Sequence, residues 1–304
     1  MCFVGVSIQK FSNKSGIAYN QAHPSELEVS EVLTQFRKGS FEPTELLAKA
    51  LTQKYPNHQL AWKILGIVFK RAGRLEESLS ANKKAVYLAP HDFEAHCNLA
   101  NTLKDLGKLT EAESSYKAAL ALNKDFAQAH YNLGITLQAL GRPKDAITSY
   151  RNAIVIDAGY AKAHNNLGIL LQKTGSLEEA ESSYRNAIRF APDYAEAYFN
   201  LGNALSDLCR PQQAESSYKK VIDLRPAFAE AYGNLGNVLK QLGRYDEAKS
   251  NYEKAVSIRP ELQGISANLG RLLMEQNQHE AGLKIIRQAC GGICFDVVNG
   301  LSIS

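Results

Sequence analysis

The stretch that decides the fold lies at residues 161–194 and reads AKAHNNLGILLQKTGSLEEAESSYRNAIRFAPDY. Its first half is apolar at helical spacing, which predicts a helix with one face turned to a core. Gly175 can adopt the left-handed conformation that ends a helix. Ser176 and Glu179 have the spacing of a capping box for a second helix, which Pro192 would stop because proline has no N–H to donate. The stretch therefore predicts two short helices joined by a tight turn.

The same pattern recurs every 34 residues without an insertion or deletion. Repeats of this kind contact only their neighbours, so a chain of them stacks into a solenoid. The asparagines of the recurring Asn-Leu-Gly or Asn-Leu-Ala motif are Asn98, Asn132, Asn166, Asn200, Asn234 and Asn268. The tyrosines in the same frame are Tyr116, Tyr150, Tyr184, Tyr218 and Tyr252.

The order of aromatic, Leu-Gly, Ala, aromatic, Ala and Pro at fixed offsets resembles the tetratricopeptide repeat. This resemblance covers roughly residues 25–290. It implies an all-α, right-handed α-solenoid of tandem helix–turn–helix repeats, whose first helices line a concave groove. We expect a flexible segment at 1–24, an atypical capping helical pair at 25–58, six repeats at 59–262, a degenerate repeat at 263–290 and a β-hairpin-like tail at 291–304.

The tail departs from the helical pattern. Two β-rich runs, Ile293–Val298 and Leu301–Ser304, flank the dipeptide Asn299-Gly300, which favours a two-residue type I′ hairpin turn. A lone hairpin is only marginally stable in water. The tail therefore either packs on the last helix as a cap or begins a domain that this chain does not contain.

The six asparagines in register are candidate binding residues. Asparagine is a poor residue inside a helix, so helix propensity does not explain the series. Its carboxamide both donates and accepts hydrogen bonds, and a row of them could hold the backbone of an extended peptide. Such a row resembles the one that lines the superhelix of O-linked N-acetylglucosamine transferases. The alternative is that these asparagines bond only within or between helices.

A more variable set should face the same groove. Its apolar members could form a patch that selects partners, or they could pack against the next repeat. The set comprises Asn101, Ile135, Ile169, Asn203 and Asn237, with Cys97, Tyr131, Asn165, Phe199 and Gly233 four residues before them.

Two other arrangements do not favour a site. A clamp for acidic chaperone tails needs cations at fixed points, and the best frame matches it at only two of five positions: Lys63, Ile67, Asn98, Gln128 and Asn132. The series His96, His130 and His164 stands where Trp62 stands in the first full repeat. Its members should lie about 10 Å apart, too far for one zinc ion. We therefore expect packing histidines, no metal and no cofactor.

Composition limits the other possibilities. The net charge of +4 is not clustered, so nucleic acid is not an expected partner. Five irregularly spaced cysteines do not form a disulfide framework, which favours a cytoplasmic setting. No run is long and apolar enough for a membrane span, and the N-terminus does not resemble a signal peptide. No nucleophile elbow or phosphate loop is present, so we do not expect an enzyme.

These observations predict a non-catalytic scaffold that binds an extended segment of a partner protein in an asparagine-lined groove. One alternative is a substrate-recruiting arm of an O-linked glycosyltransferase, or of a similar enzyme, whose catalytic domain is absent from this chain. Self-association, with one copy in the groove of another, is a third possibility.

Overall fold

The computed structural model describes residues 23–290, 293–296 and 300–303, and this part of the chain is all-α apart from one hairpin. Within it, no helix combines the length and the apolar character needed to span a bilayer. The fold confirms the predicted series of helix pairs. The elements are α1 (Glu26–Lys38), α2 (Phe41–Lys54), α3 (Gln59–Arg71), α4 (Leu75–Leu88), α5 (Phe93–Asp105), α6 (Leu109–Leu122), α7 (Ala127–Ala139), α8 (Pro143–Ile156), α9 (Ala161–Lys173), α10 (Leu177–Phe190), α11 (Ala195–Asp207), α12 (Pro211–Leu224), α13 (Ala229–Gln241), α14 (Tyr245–Ile258), α15 (Gln263–Glu275), α16 (His279–Cys290), β1 (Ile293–Asp296) and β2 (Gly300–Ile303).

The chain forms two compact blocks, Met1–Asp157 and Ala158–Ser304. In the first block each helix from α1 to α8 packs on the next, and in the second block α9 to α16 do the same. The first helices of successive pairs also touch, α3 with α5 and α5 with α7 in one block, α9 with α11 and α11 with α13 in the other. Each block is thus held together by contacts between neighbouring repeats.

Most of the predicted segment 1–24 lies outside the described residues.

A tyrosine ring packed on a glycine joins the two helices in four of the pairs, from α7/α8 to α13/α14. A Cβ atom placed on Gly168 of α9 would lie 2.6 Å from Cε1 of Tyr184 in α10. The ring can approach this closely only because glycine has no side chain. The same 2.6 Å approach occurs at Gly134 with Tyr150, Gly202 with Tyr218, and Gly236 with Tyr252. These tyrosines are at most 2% exposed.

The turn between paired helices uses a left-handed residue. Gly175 has φ +85°, and its N–H donates to Gln172 O while the next N–H donates to Leu171 O. These bonds satisfy carbonyls at the helix end. Cys209 occupies the equivalent place with φ +56°, a conformation in which a Cβ atom is strained.

The predicted capping box at Ser176 is wrong. Ser176 has φ −85° and ψ 68°, and its side chain makes no capping hydrogen bond. An N-cap needs an extended backbone to aim its oxygen at the helix, and the tight turn does not provide one here. A capping box does form at α1, where Glu28 N donates to Ser25 Oγ at 3.2 Å and Ser25 N donates to Glu28 Oε2 at 2.8 Å.

The hairpin forms with a different turn from the predicted one. Strands β1 and β2 pair antiparallel, with Ile293 opposite Ile303 and Asp296 opposite Gly300. Gly300 is therefore a strand residue, and the predicted two-residue Asn299-Gly300 turn is wrong. The connection at 297–299 lies outside the described residues.

Replacing Cys209 by glycine should raise the free energy of unfolding by about 1 kcal/mol, because it removes the strain of a Cβ atom at positive φ. Urea unfolding followed by circular dichroism measures this. Asn277, also at positive φ (+61°), is the matched control. Asparagine tolerates this conformation better, so Asn277→Gly should gain less. A Cys209→Gly variant no more stable than the wild type would contradict the strain argument.

Gly168→Leu should lower the free energy of unfolding by about 1–3 kcal/mol, because the added side chain must displace the Tyr184 ring. Gly264→Ala is the control, since a Cβ there meets nothing within 4 Å. This second change should be neutral or stabilising, by up to about 1 kcal/mol, because alanine favours the helix. The same urea titration decides the matter, and equal effects of both changes would refute the packing role.

Candidate functional site

Four asparagines of the predicted series donate hydrogen bonds to the preceding repeat: Asn132, Asn200, Asn234 and Asn268. Asn203 Oδ1 accepts from the Tyr218 hydroxyl of its own repeat at 2.8 Å and from Asn234 Nδ2 of the next repeat at 2.9 Å. We call this arrangement a tyrosine–asparagine node. Further nodes join Tyr252, Asn237 and Asn268 (2.8 and 2.9 Å) and, in the first block, Tyr116, Asn101 and Asn132 (2.6 and 3.0 Å).

The nodes satisfy a buried hydroxyl group. A buried polar group without a partner is costly, so each tyrosine needs an acceptor. Burial raises the pKa of Tyr252 to about 12, with a further contribution from Glu275. Its hydroxyl therefore keeps its proton at neutral pH and donates to Asn237.

In two repeats a different residue accepts the hydrogen bond of the tyrosine hydroxyl, and the sequence analysis did not predict this acceptor. Ile135 and Ile169 occupy the place of Asn203 and offer no acceptor. The Tyr150 hydroxyl instead donates to Gln138 Oε1 at 3.1 Å. In the equivalent bond of the second block, Tyr184 donates to Gln172 Oε1 at 2.9 Å. The exchange of Asn for Ile together with a glutamine three residues later is visible in the sequence and could have revealed this bond.

The first-block asparagines of the series are buried. Asn98 is 7% exposed and Asn132 is 9% exposed. Asn132 Oδ1 also accepts from Gln128 Nε2 at 3.3 Å. Asn98 Nδ2 has no hydrogen-bond partner among the described residues. Asn132 donates to Asn101 of the preceding repeat, whereas the corresponding residue before Asn98 is Ile67, whose side chain has no acceptor. These two side chains have little surface to offer a ligand.

Asn166, the first asparagine of the series in the second block, is half-buried. The other three, Asn200, Asn234 and Asn268, are also half-buried, and each donates to the preceding repeat. We call these three side chains the asparagine row. Asn200 Nδ2 donates to Asn165 Oδ1 at 3.0 Å, so each member of the row uses one N–H on the preceding repeat. A carboxamide has a second N–H. The Oδ1 atoms of Asn200 and Asn234 accept no hydrogen bond from the described part of the chain, so the row keeps bonding capacity on its outer side.

The remaining predicted second-block residues lie beside the row. Asn165 is buried and donates weakly to Asn166 Oδ1, at 3.5 Å. Ile169 is half-buried. The Phe199 ring is half-buried and lies 5.9 Å from the Tyr218 ring and 5.0 Å from that of Phe228. Phe199 therefore packs on two aromatic rings of its own repeat and keeps part of its surface exposed.

The remaining first-block residues are mostly committed to packing. Half-buried Tyr131 lies 5.9 Å from the Tyr150 ring. Cys97 is 3% exposed, and burial, reinforced by Glu94, raises the pKa of its thiol to about 12. Lys63 Nζ is buried, 2.6 Å from Glu94 Oε2 and 2.9 Å from Asp92 Oδ2. Its charge is thus balanced inside the protein.

Each histidine of the series makes the same contact between a ring nitrogen and a backbone carbonyl as Trp62 does. Trp62 Nε1 donates to the carbonyl six residues earlier, Pro56 O, at 2.9 Å. The Nε2 atoms of His96, His130 and His164 each contact the carbonyl six residues earlier, at 2.9–3.0 Å. In the described residues no three His, Cys, Asp or Glu side chains come together as metal ligands would.

Family models agree with the repeat frame. Models described as tetratricopeptide repeat match residues 159–227 and 229–262, and a model described as TPR repeat matches 100–141 and 139–175. Together they cover more than half of the chain. A comparison with curated proteins finds no match.

Solved structures share the fold. MamA is 27% identical with a TM-score of 0.52, over 53% of this chain and 95% of that chain. A tetratricopeptide repeat protein from Parabacteroides merdae is 21% identical with a TM-score of 0.57, over 82% and 98%. YrrB, a TPR protein with an unusual peptide-binding site, is 22% identical with a TM-score of 0.52, over 60% and 95%.

The nodes predict that a second substitution can restore the stability lost when Asn203 is replaced. Asn203→Ile should lower the free energy of unfolding by about 1–3 kcal/mol, because the Tyr218 hydroxyl loses its acceptor. Adding Ser206→Gln should recover much of this loss, since it recreates the Tyr184–Gln172 bond. Ser206→Gln alone, as the control, should gain little. Urea unfolding of the single and double variants measures the coupling, and a double variant as unstable as Asn203→Ile would refute the exchange.

Proposed function

The chain belongs to the tetratricopeptide repeat family, and we propose that it is a non-catalytic scaffold that binds an extended segment of a partner protein along its asparagine row. Proteins built of these repeats are typically scaffolds without catalytic activity. The observation that carries the proposal is the unused bonding capacity of Asn200, Asn234 and Asn268 on α11, α13 and α15. YrrB has a peptide-binding site on a similar fold, which supports a peptide ligand.

The spacing of the row suits a peptide backbone. Packed helices lie about 8–10 Å apart, and an extended chain advances about 3.3 Å per residue. One asparagine would therefore meet every third peptide residue. At each contact, Nδ2 would donate to a peptide carbonyl and Oδ1 would accept from a peptide N–H, because a carboxamide offers both groups.

Hydrogen bonds of this kind go to backbone C=O and N–H groups, which do not depend on the side chain. They would hold the direction and register of the segment while tolerating many side chains. Half-buried Ile169 and Phe199 flank the row and would supply apolar contacts to the side chains between the bonded residues. Recruitment for a glycosyltransferase and self-association stay predictions.

The row should be required for binding. The full chain is used to select peptides from a display library of random twelve-residue segments. The affinity of an enriched peptide is then measured by calorimetry for the wild type and for the triple variant Asn200→Ala, Asn234→Ala and Asn268→Ala. Loss of the three asparagine contacts, at roughly 1 kcal/mol each, should weaken binding by roughly 100-fold. Circular dichroism confirms that the variant is folded.

Two controls sharpen this test. Asn251, a half-buried asparagine on the second helix α14 whose Nδ2 donates to Glu247 O at 2.8 Å, can be changed to alanine and should leave the affinity unchanged. N-methylation of single peptide bonds should weaken binding at every third position, while alanine substitutions at those positions should matter little. Unchanged affinity of the triple variant would show that the row is not the binding site.

A further inference from the structure

The position three residues after each asparagine of the repeat series changes character at the end of the second block. In the earlier repeats it is asparagine or isoleucine, as at Asn237 and Ile169. In the last repeat it is Arg271 on α15. The row therefore ends beside a cation instead of another amide.

Arg271 is exposed, and its guanidinium contacts an amide rather than a carboxylate. Its Nη1 atom donates to Asn268 Oδ1 at 3.3 Å. No carboxylate oxygen of the described residues lies within 4 Å of its guanidinium. The nearest acidic residue along α15, Glu275, contacts Lys240 Nζ at 2.7 Å.

The other acidic residues at the starts of these first helices already have partners. Glu196 on α11 lies 2.7 Å from Arg225, and Glu230 on α13 pairs with Arg259. Asp207, at the other end of α11, accepts from Gln172 Nε2 at 2.7 Å, and none of these carboxylates pairs with Arg271. An exposed cation of this kind is complementary to a negatively charged group on a ligand.

A chain of hydrogen bonds orients the guanidinium. Arg271 donates to Asn268, Asn268 donates to Asn237 at 2.9 Å, and Asn237 also accepts from the buried Tyr252 hydroxyl at 2.8 Å. A guanidinium has five N–H donors, so most of them still point away from this chain of bonds. Two parallel donors of a guanidinium match the two oxygens of a carboxylate.

We propose that the partner segment carries a carboxylate that binds Arg271 at the α15 end of the asparagine row. This inference rests on the proposed function of the row and adds the chemistry of one end of the ligand. The carboxylate belongs to an aspartate or glutamate side chain or to the free C-terminus of the segment. One guanidinium balances the single negative charge of a carboxylate, whereas a phosphate group carries a charge of about −1.5 to −2.

The test uses two libraries of random twelve-residue segments, one displayed with a free C-terminus and one displayed internally. The baits are the full wild-type chain, Arg271→Gln, Arg271→Glu and, as a matched control, Arg287→Gln, which changes an exposed arginine on α16. The wild type and Arg287→Gln should enrich acidic residues at one fixed place. Enrichment in both libraries identifies a side chain, and enrichment confined to the first identifies a terminal carboxylate.

Affinities of the enriched peptides complete the test. Arg271→Gln should weaken binding at least about tenfold, as expected for a lost charge-assisted hydrogen bond, and Arg271→Glu should select basic segments. If enriched peptides depend on the asparagine row but show no acidic preference, the inference about Arg271 is overturned and the proposed function stands. If no bait enriches peptides, both are overturned.

Discussion

A buried tyrosine hydroxyl determines much of the side-chain chemistry in this protein. The ring of Tyr184 or Tyr218 fills the space that a helix glycine leaves, which takes the phenol out of water. A buried hydroxyl without an acceptor would cost about 1–3 kcal/mol. Each of these repeats supplies the acceptor from its first helix, through Asn203 in one and Gln172 in another. Where the acceptor is asparagine, its oxygen also binds the next repeat, so one packing requirement links the helix pair to the stacking of pairs.

Much of the fold could be predicted from the sequence because it depends on residue size and spacing. The 34-residue period fixes the helix pairs, and glycine with tyrosine at fixed offsets fixes their closest contact. The cap at Ser176 could not be predicted in this way, since it depends on backbone angles that the tight turn sets. The acceptors of the tyrosine hydroxyls depend on side-chain direction. Their signal, glutamine three residues after Ile135 and Ile169, becomes clear only when the repeats are compared with one another.

In the sequence the six asparagines occupy equivalent positions of the repeat, but in the structure their exposed fractions differ. Asn98 and Asn132 are less than a tenth exposed, whereas Asn200, Asn234 and Asn268 are half-buried. Exposure depends on the neighbours of a residue, which a motif does not specify. Ile67, for example, leaves the buried amide of Asn98 without an acceptor, although the Asn-Leu motif around it is intact. Asn200 and Asn234 each donate one N–H to the preceding repeat, and a carboxamide has a second N–H and an oxygen. Bonding between repeats therefore leaves these two side chains with groups that a ligand could use.

Energetics limit what the asparagine row can do by itself. A hydrogen bond to a peptide replaces one to water, so its net contribution is about 1 kcal/mol. Three such contacts give roughly 3 kcal/mol, which is weaker than a millimolar dissociation constant requires. A useful affinity must therefore come from other groups. Half-buried Phe199, next to Asn200 in the sequence, and exposed Arg271, which contacts Asn268, are two candidates. The row would then set the direction and spacing of a bound segment, and the residues at its sides and end would decide which segment binds.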